Sequence, residues 1–202
     1  MICWISSFPR SGNTLTRQIL EQSFGVKTYT VYSGEDATDH LFEGQNKYDL
    51  TDEATRRSLE KSDEIYYVKT HHVMFDGNPV IHIIRNGRDA IKSMAKLYYG
   101  PVESFVVMQG LSFPSWSNHY WGCLGVPSSL VLRFEDVVEN PNEAAKSIGM
   151  FIGKEPKHFV NTFNPVNEVM GSGGKTKARF NKEIEVLFQR CHGVVMNLLG
   201  YV

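Results

Sequence analysis

The chain has 202 residues, a formal net charge of −1, 42% hydrophobic residues and 21% charged residues. The near-neutral charge excludes a general polyanion binder, so we expect no nucleic-acid partner and no attachment to acidic membranes. The length and composition suit one globular domain spanning residues 1–202. Any anionic ligand must therefore be held by a local group of basic side chains.

The sequence carries no sign of secretion or of membrane insertion. No apolar run approaches the roughly 18 residues of a membrane span, and the N-terminus lacks the pattern of a signal peptide. The three cysteines, Cys3, Cys123 and Cys191, form no CxxC pair, so we expect reduced thiols. These features predict a cytoplasmic protein.

Short apolar runs alternate with helical patterns along the whole chain. The predicted strands are Ile2–Ser6, Tyr29–Tyr32, Ile65–Lys69, Val80–Ile84 and Leu130–Phe134. The predicted helices are Asn13–Ser23, Asp52–Lys61, Arg88–Tyr98, Pro114–Cys123, Asn142–Ile152 and Lys182–Leu199. Continuous apolar strands are typical of a parallel sheet that is buried on both faces. The alternation predicts an α/β fold, a three-layer sandwich around a central parallel sheet, with ligands at the carboxyl ends of the strands.

The first loop, SFPRSGNTLTRQ at residues 7–18, has the character of a phosphate-binding loop. Pro9 stiffens the turn, and Gly12 lets the backbone approach an anion closely. The helix that follows directs its free N–H groups and its positive dipole end into the same space. Arg10 adds a fixed positive charge, and Ser11, Asn13 and Thr14 can donate hydrogen bonds. An ordinary strand-to-helix turn with a surface arginine is the alternative interpretation.

The loop differs from the Walker loop of kinases and ATPases. The lysine and the serine or threonine that follow the last glycine of a Walker loop are missing after Gly12. Their absence weakens metal-assisted phosphoryl transfer as the chemistry. A P-loop small-molecule kinase and a non-catalytic nucleotide-binding protein nevertheless stay open as alternatives to the transferase described below.

The second informative stretch is YVKTHH at residues 67–72. The two-residue period of a strand places Lys69 and His71 on one face, and Thr70 and His72 on the other. A histidine at the mouth of an anion site takes a proton near neutral pH, while a lysine neutralises the charge of a group in transfer. A histidine whose hydrogen bonds are satisfied at a strand end is the commoner alternative.

Two further stretches follow the pattern of strand, turn and helix. In VIHIIRNGRDAIKSM, residues 80–94, the strand ends at Arg85, and both Arg85 and Ser93 are expected to reach a second phosphate. In SLVLRFEDVVENP, residues 129–141, a buried strand precedes an acidic turn. We expect Glu135 and Asp136 of that turn to form structural hydrogen bonds.

Taken in order, these stretches resemble the sulfotransferases that use 3′-phosphoadenosine 5′-phosphosulfate (PAPS) as donor. FPRSGNT resembles their 5′-phosphosulfate loop, VKTHH their KTH segment and IRNGRDAIKS their 3′-phosphate segment. MQGLSFPSWSNHYW and VLRFEDVVENPNEAAKSIGMFIG resemble the family's central and following stretches. The resemblance implies a fold with a P-loop-like phosphosulfate site, transfer of the sulfuryl group, 3′-phosphoadenosine 5′-phosphate (PAP) as product, and no metal.

The resemblance also implies residue roles. Arg10 would contact the bridging and 5′-phosphate oxygens, Lys69 would stabilise the transferred sulfuryl group, and His71 would be the catalytic base. The 5′-phosphate would be wrapped by Ser11, Gly12, Asn13 and Thr14. The 3′-phosphate would be held by Arg85 and Ser93.

The chain departs from the family pattern at several positions. Leu15 replaces the tryptophan that packs on adenine, and Phe163 is the candidate replacement. The family's C-terminal basic loop is not recognisable, but GGKTKARF offers three basic residues for the same task, Lys175, Lys177 and Arg179. Gly87 replaces a proline in the 3′-phosphate segment, which we expect to loosen that turn.

The acceptor is expected to be a small molecule with a hydroxyl or amine group. Residues 35–64 contain ten acidic and four basic residues, which predicts either a solvated helix and loop or an acidic lid that favours a cationic acceptor. Candidate aromatic and histidine residues of the pocket wall are Tyr98, Tyr99, Phe105, Phe113, Trp116, His119 and Trp121. The sequence leaves the oligomeric state open.

Overall fold

The computed structural model describes residues 1–32, 52–98, 100–108, 113–160 and 180–201. A single parallel sheet forms the centre of the fold. Its strands are β1 Ile2–Ser7, β2 Thr28–Thr30, β3 Tyr66–Thr70, β4 Val80–Ile84 and β5 Ser129–Arg133. Their order across the sheet is β2-β3-β1-β4-β5, and every neighbouring pair is parallel. The predicted α/β class with a central parallel sheet is confirmed.

Eight helices lie within the described residues. They are α1 Asn13–Phe24, α2 Glu53–Lys61, α3 Gly87–Leu97, α4 Val102–Val107, α5 Trp116–Leu124, α6 Phe134–Glu139, α7 Pro141–Ile152 and α8 Lys182–Leu198. Helices α4 and α6 were not predicted, and the stretch expected to be an acidic turn after β5 is helix α6. Each has only six residues, too few to establish a helical period in the sequence.

The helices cover both faces of the sheet. Side chains of α1, α6 and α7 share one hydrophobic cluster with β1 and β4, and side chains of α3, α4, α5 and α8 form a second cluster. Strands β1 and β4 are buried at every position, which explains why their sequences are continuously apolar rather than alternating. Within the described part of the chain, no helix is both long and apolar enough to cross a membrane.

Strand β1 occupies the centre of the sheet, between β3 and β4. From β1 the chain crosses to β2 at one edge, whereas from β4 it proceeds to β5 at the other. The connections therefore diverge around β1, and parallel sheets bind ligands in the crevice that such a divergence opens at the carboxyl ends of the strands. The loop after β1 and the ends of β3 and β4 all meet at this crevice.

The turn at Asn86 and Gly87 is held by hydrogen bonds and by close packing. The Asn86 side chain caps α3 by accepting a hydrogen bond from the Arg88 N–H at 3.0 Å, and the Asn86 N–H donates to Glu135 Oε1 at 3.0 Å. A Cβ atom at Gly87 would lie 2.9 Å from the Trp116 ring. Glycine here allows the start of α3 to pack directly on that ring, which a larger residue would prevent.

Glu135 links three parts of the fold through hydrogen bonds, which agrees with its predicted structural role. Besides the Asn86 N–H, its carboxylate accepts a hydrogen bond from the Tyr201 hydroxyl at 2.7 Å. The Arg133 guanidinium lies 4.3 Å from the centre of the Tyr201 ring and donates to the Leu199 carbonyl at 2.9 Å. These contacts fasten the end of the chain to β5 and to the start of α3.

The three cysteines are unpaired, as expected. Cys3 and Cys123 are buried and Cys191 is exposed on α8. Burial raises the pKa of the Cys3 and Cys123 thiols to about 12.

Candidate active site

Helix α1 begins at the carboxyl edge of the sheet, directly after the loop that follows β1. Its N-cap is Gly12 at φ 108°, and no side chain within the described residues caps it. Side chains of Asp52, Asn86, Ser115 and Asn181 cap α2, α3, α5 and α8, whereas α4, α6 and α7 lack a side-chain cap in the described residues, as α1 does. The first N–H groups of a helix have no intrahelical partner, and with the helix dipole they attract an anion.

Gly12 is required at this position for two reasons. A positive φ of 108° disfavours any residue with a side chain. A Cβ atom here would also lie only 2.7 Å from Cδ2 of Phe134. The loop therefore passes closely over the Phe134 ring.

Arg10, Arg85 and Ser93 come together beside this loop, although they belong to separate segments. Arg10 Nε donates to Ser93 Oγ at 3.1 Å, and Arg85 Nη1 donates to the Arg10 carbonyl oxygen at 2.8 Å. The Arg85 guanidinium also lies 4.2 Å from the centre of the Phe134 ring. Arg10 adopts a left-handed backbone with φ 66°, a strained conformation that functional loops often contain.

The two guanidinium groups form a site of concentrated positive charge. Burial, and then the charge of Arg85, lowers the pKa of Arg10. Burial also lowers the pKa of Arg85, against the opposing influence of Asp89 and Glu135. Within the described residues neither arginine forms a salt bridge. Two partly buried like charges repel each other, and an anion bound between them would offset this repulsion.

His71 is held by the main chain at the start of the same loop. Its Nδ1 lies 2.9 Å from the Ser7 carbonyl oxygen, and a carbonyl only accepts, so Nδ1 carries a proton. In the neutral ring Nε2 then carries the lone pair and is the basic nitrogen. The ring stacks on Tyr32 at 5.4 Å between centroids and meets the edge of Phe113 at 5.7 Å.

Lys69 lies on the same side as His71, in agreement with the two-residue period of β3. Lys69 is buried, and its Nζ lies 5.8 Å from the centre of the Tyr32 ring on which His71 stacks. His71 donates a hydrogen bond to the Ser7 carbonyl, and Arg85 donates one to the Arg10 carbonyl. Both carbonyls belong to the short segment between the end of β1 and the start of α1. The crevice therefore combines an uncapped helix terminus, basic side chains and a histidine of fixed tautomer.

This combination is suited to transfer of an anionic group, and comparison with known proteins identifies the family. The sequence profile of the Sulfotransferase domain matches residues 3–170. The chain belongs to the sulfotransferase domain family. Comparison with curated protein sequences gives no match.

Solved structures agree with the family at the level of the fold. The mouse sulfotransferase SULT7A1 complexed with PAP is 14% identical, with a TM-score of 0.65 over 96% of this chain and 83% of that one. A sulfotransferase from Alicyclobacillus acidocaldarius is 10% identical, with a TM-score of 0.55 over 99% of this chain and 96% of that one. At such low identities the likeness shows the fold alone.

The sulfotransferase loop uses its side chains differently from what the sequence suggests. The Asn13 amide nitrogen donates inward to the carbonyls of Ile5 at 2.9 Å and Thr70 at 3.4 Å, and to Ser7 Oγ at 3.3 Å. The Ser11 hydroxyl is buried and has no partner within the described residues. Asn13 therefore ties the loop to β1 and β3.

A buried polar chain behind the site was missed by the sequence analysis. Ser6 Oγ donates to the His72 carbonyl at 2.8 Å and lies 3.4 Å from His119 Nε2. Cys123 Sγ lies 3.6 Å from His119 Nδ1 and 2.9 Å from His82 Nδ1. One available signal was the histidine inside the apolar strand VIHII, and another was the i, i+4 spacing of His119 and Cys123 on α5.

The candidate wall residues fall into three groups. Phe113 borders His71, whereas Phe105, Trp116 and His119 are buried in the interior. Tyr98 and Trp121 are exposed. Tyr99 lies outside the described residues, as do four proposed nucleotide contacts, Phe163, Lys175, Lys177 and Arg179.

The acidic segment at residues 35–64 is described only from residue 52 onwards. In that part Glu53 pairs with Arg57 and Glu60 with Arg56 along α2, and Asp52 caps the helix. These contacts agree with a solvated helix whose charges are locally paired. Among the described residues no group of three metal-binding side chains converges.

The buried histidines predict that acid destabilises the fold. Burial lowers the pKa of His82 to about 4 and that of His119 to about 3. Because unfolded histidine titrates near 6.5, the unfolded chain binds more protons as pH falls below that value. The free energy of unfolding should fall by up to about 1.4 kcal/mol per pH unit for each group between about pH 6.5 and about pH 4.

Chemical denaturation across this pH range measures the slope. His82→Asn should reduce it, since an amide replaces Nδ1 as a partner of Cys123 without titrating. His158→Asn is the matched control, because His158 is exposed. An identical slope in wild type and His82→Asn would contradict the assignment.

Proposed function

We propose that the protein transfers the sulfuryl group of PAPS to a hydroxyl or amine of a small molecule and releases PAP. The observation that carries the proposal is the cluster of Arg10, Arg85 and Ser93, bonded to the loop that fixes the tautomer of His71. Membership of the Sulfotransferase domain family supports the reaction class. The PAP named for the similar mouse enzyme supports the nucleotide.

The residues present suit a nucleotide with two separate anionic groups. The uncapped start of α1 and Arg10 fit the 5′-phosphosulfate, while Arg85 and Ser93 fit the 3′-phosphate. The Ser11 hydroxyl, buried without a partner in the described part of the chain, is a further donor in this loop. We propose that Phe163 packs on the adenine. The further basic residues proposed for the 3′-phosphate are Lys175, Lys177 and Arg179.

The mechanism follows from the roles that these side chains are equipped to perform. PAPS supplies an activated sulfuryl group in a mixed anhydride. His71 accepts the proton of the acceptor hydroxyl or amine at Nε2, and the Ser7 carbonyl stabilises the imidazolium through its hydrogen bond with Nδ1–H. Lys69, Arg10 and the start of α1 neutralise the negative charge that develops on the departing phosphate.

A binding titration separates this proposal from its two alternatives. PAP should bind more tightly than ADP or ATP, because only PAP carries the 3′-phosphate for Arg85 and Ser93. Arg85→Met should weaken PAP binding by about 100-fold and Ser93→Ala by about 10-fold, with a smaller effect on ADP. Isothermal calorimetry measures all three nucleotides.

Arg88→Met is the matched control for this titration. Arg88 belongs to α3, the helix that carries Ser93, but its side chain pairs with Glu185 at 2.7 Å. Its loss should therefore leave PAP affinity within about twofold. Tight, magnesium-dependent ATP binding would instead support the kinase. PAP binding without any turnover of PAPS would support a non-catalytic protein.

His71→Ala should abolish transfer while leaving PAP affinity nearly unchanged. The side chain acts on the acceptor proton, and removal of a general base typically costs about 10² to 10⁴ in rate. Steady-state turnover of PAPS, with calorimetry of PAP, measures the two effects. His72→Ala is the control, since the His72 side chain is exposed. Near-normal turnover by His71→Ala would remove this residue from the role of base.

We propose a positively charged acceptor on two grounds. The sequence of residues 35–64 is acidic, and the aromatic rings of Tyr32 and Phe113 flank His71. Aromatic faces attract ammonium groups. Choline and its neutral isostere, in which carbon replaces nitrogen, differ only in charge and both present a primary hydroxyl. With PAPS as donor, kcat/KM should be about 10-fold or more higher for choline. Equal rates would overturn the cationic preference and leave sulfuryl transfer intact.

A further inference from the structure

Tyr32 lies beside His71 because of the register of the edge strand. Strand β2 pairs with β3 so that Thr30 stands opposite Lys69, and the Val31 N–H donates to the Lys69 carbonyl at 3.3 Å. Tyr32 and His71 each lie two residues beyond this pair, and they are therefore next to each other. The sequence alone places Tyr32 at the end of a predicted strand and gives it no further role.

Tyr32 touches both residues that the proposed reaction uses on this side of the crevice. Its hydroxyl oxygen accepts a hydrogen bond from the His71 main-chain N–H at 2.6 Å. Its ring stacks on the imidazole with 28° between the planes. The Lys69 ammonium lies 5.8 Å from the centre of the same ring, within the range of a cation–π interaction.

These contacts matter because His71 lies just beyond the end of β3 at Thr70. A residue past the last ladder position is not fixed by strand pairing, so the Tyr32 hydroxyl takes the place of a ladder acceptor. Together with the Ser7 carbonyl on Nδ1, it holds both the backbone and the imidazole of His71. The ring face of Tyr32 then restricts rotation of the imidazole away from Ser7.

We propose that Tyr32 is a positioning residue that fixes the tautomer and orientation of His71 and holds Lys69 beside it. The proposal rests on the proposed function for the roles of His71 and Lys69. Tyr32→Phe removes the hydrogen bond and keeps the ring, whereas Tyr32→Leu removes both. The two variants therefore separate the hydroxyl from the stacking contact. Tyr29→Phe is the matched control, because Tyr29 lies in β2, three residues before Tyr32, and packs against Tyr66.

Nitrogen-15 NMR of the histidine side chains tests the positioning role without any acceptor. The His71 signals are assigned from their absence in His71→Gln and recorded at a pH where the ring is neutral. In wild type and Tyr29→Phe the proton should reside on Nδ1. In Tyr32→Leu we expect a substantial population with the proton on Nε2, and in Tyr32→Phe a smaller one. An unchanged Nδ1–H tautomer in Tyr32→Leu would overturn the proposal.

Steady-state kinetics provide the second readout. They are measured with PAPS and with whichever of choline and its neutral isostere reacts faster. Relative to wild type, kcat should fall about 10-fold in Tyr32→Phe and about 100-fold in Tyr32→Leu, while the KM for PAPS and PAP affinity stay within about twofold. A merely structural role would instead lower PAP affinity and kcat together, and that result would contradict the proposal. If wild type itself fails to turn over PAPS, the proposed function fails, whereas the NMR result still decides the role of Tyr32.

Discussion

Two guanidinium groups held beside one another are the constraint around which this crevice is organised. Burial and the charge of Arg85 lower the pKa of Arg10, burial lowers that of Arg85, and within the described residues neither arginine forms a salt bridge. Folding brings them together nevertheless, since Arg85 donates to the carbonyl of Arg10 and Arg10 donates to Ser93. An anion between the two guanidinium groups would offset the repulsion between them.

The fold places this charge where it is useful. Because β1 lies at the centre of the sheet, the loop that follows it borders the ends of β3 and β4 at once. Asn13 exploits this position by donating hydrogen bonds to carbonyls on both β1 and β3. One asparagine thus couples the start of α1 to the strand that carries Lys69 and precedes His71. Small shifts of the loop would be transmitted to both sides of the crevice.

Much of the architecture was predictable because it depends on short-range patterns. Buried parallel strands read as apolar runs, and the loop sequence between Ser7 and Thr14 combines a glycine with basic and polar residues. The two short helices α4 and α6 escaped prediction because six residues contain less than two helical turns. The bracing of the Asn86–Gly87 turn also escaped it, since Glu135 and Trp116 are distant in sequence and meet the turn only in the folded chain.

The site was predictable to a similar extent, and for the same reason. The two-residue period of β3 predicts that Lys69 and His71 lie on the same side of the strand. No local pattern indicates that Tyr32 or the Ser7 carbonyl would contact His71. Those contacts depend on strand register across the sheet. The inward turn of the Asn13 side chain likewise depends on the proximity of Ile5 and Thr70, which the sheet creates.

The unequal environments of the three thiols have a practical consequence. Cys3 and Cys123 lie in the interior with a pKa raised to about 12, so in the native protein they are closed to alkylating reagents, whereas Cys191 is exposed on the last helix. A maleimide dye would thus attach at a single natural position without mutagenesis. Its emission would report tumbling or association of the whole enzyme while the crevice stays chemically untouched.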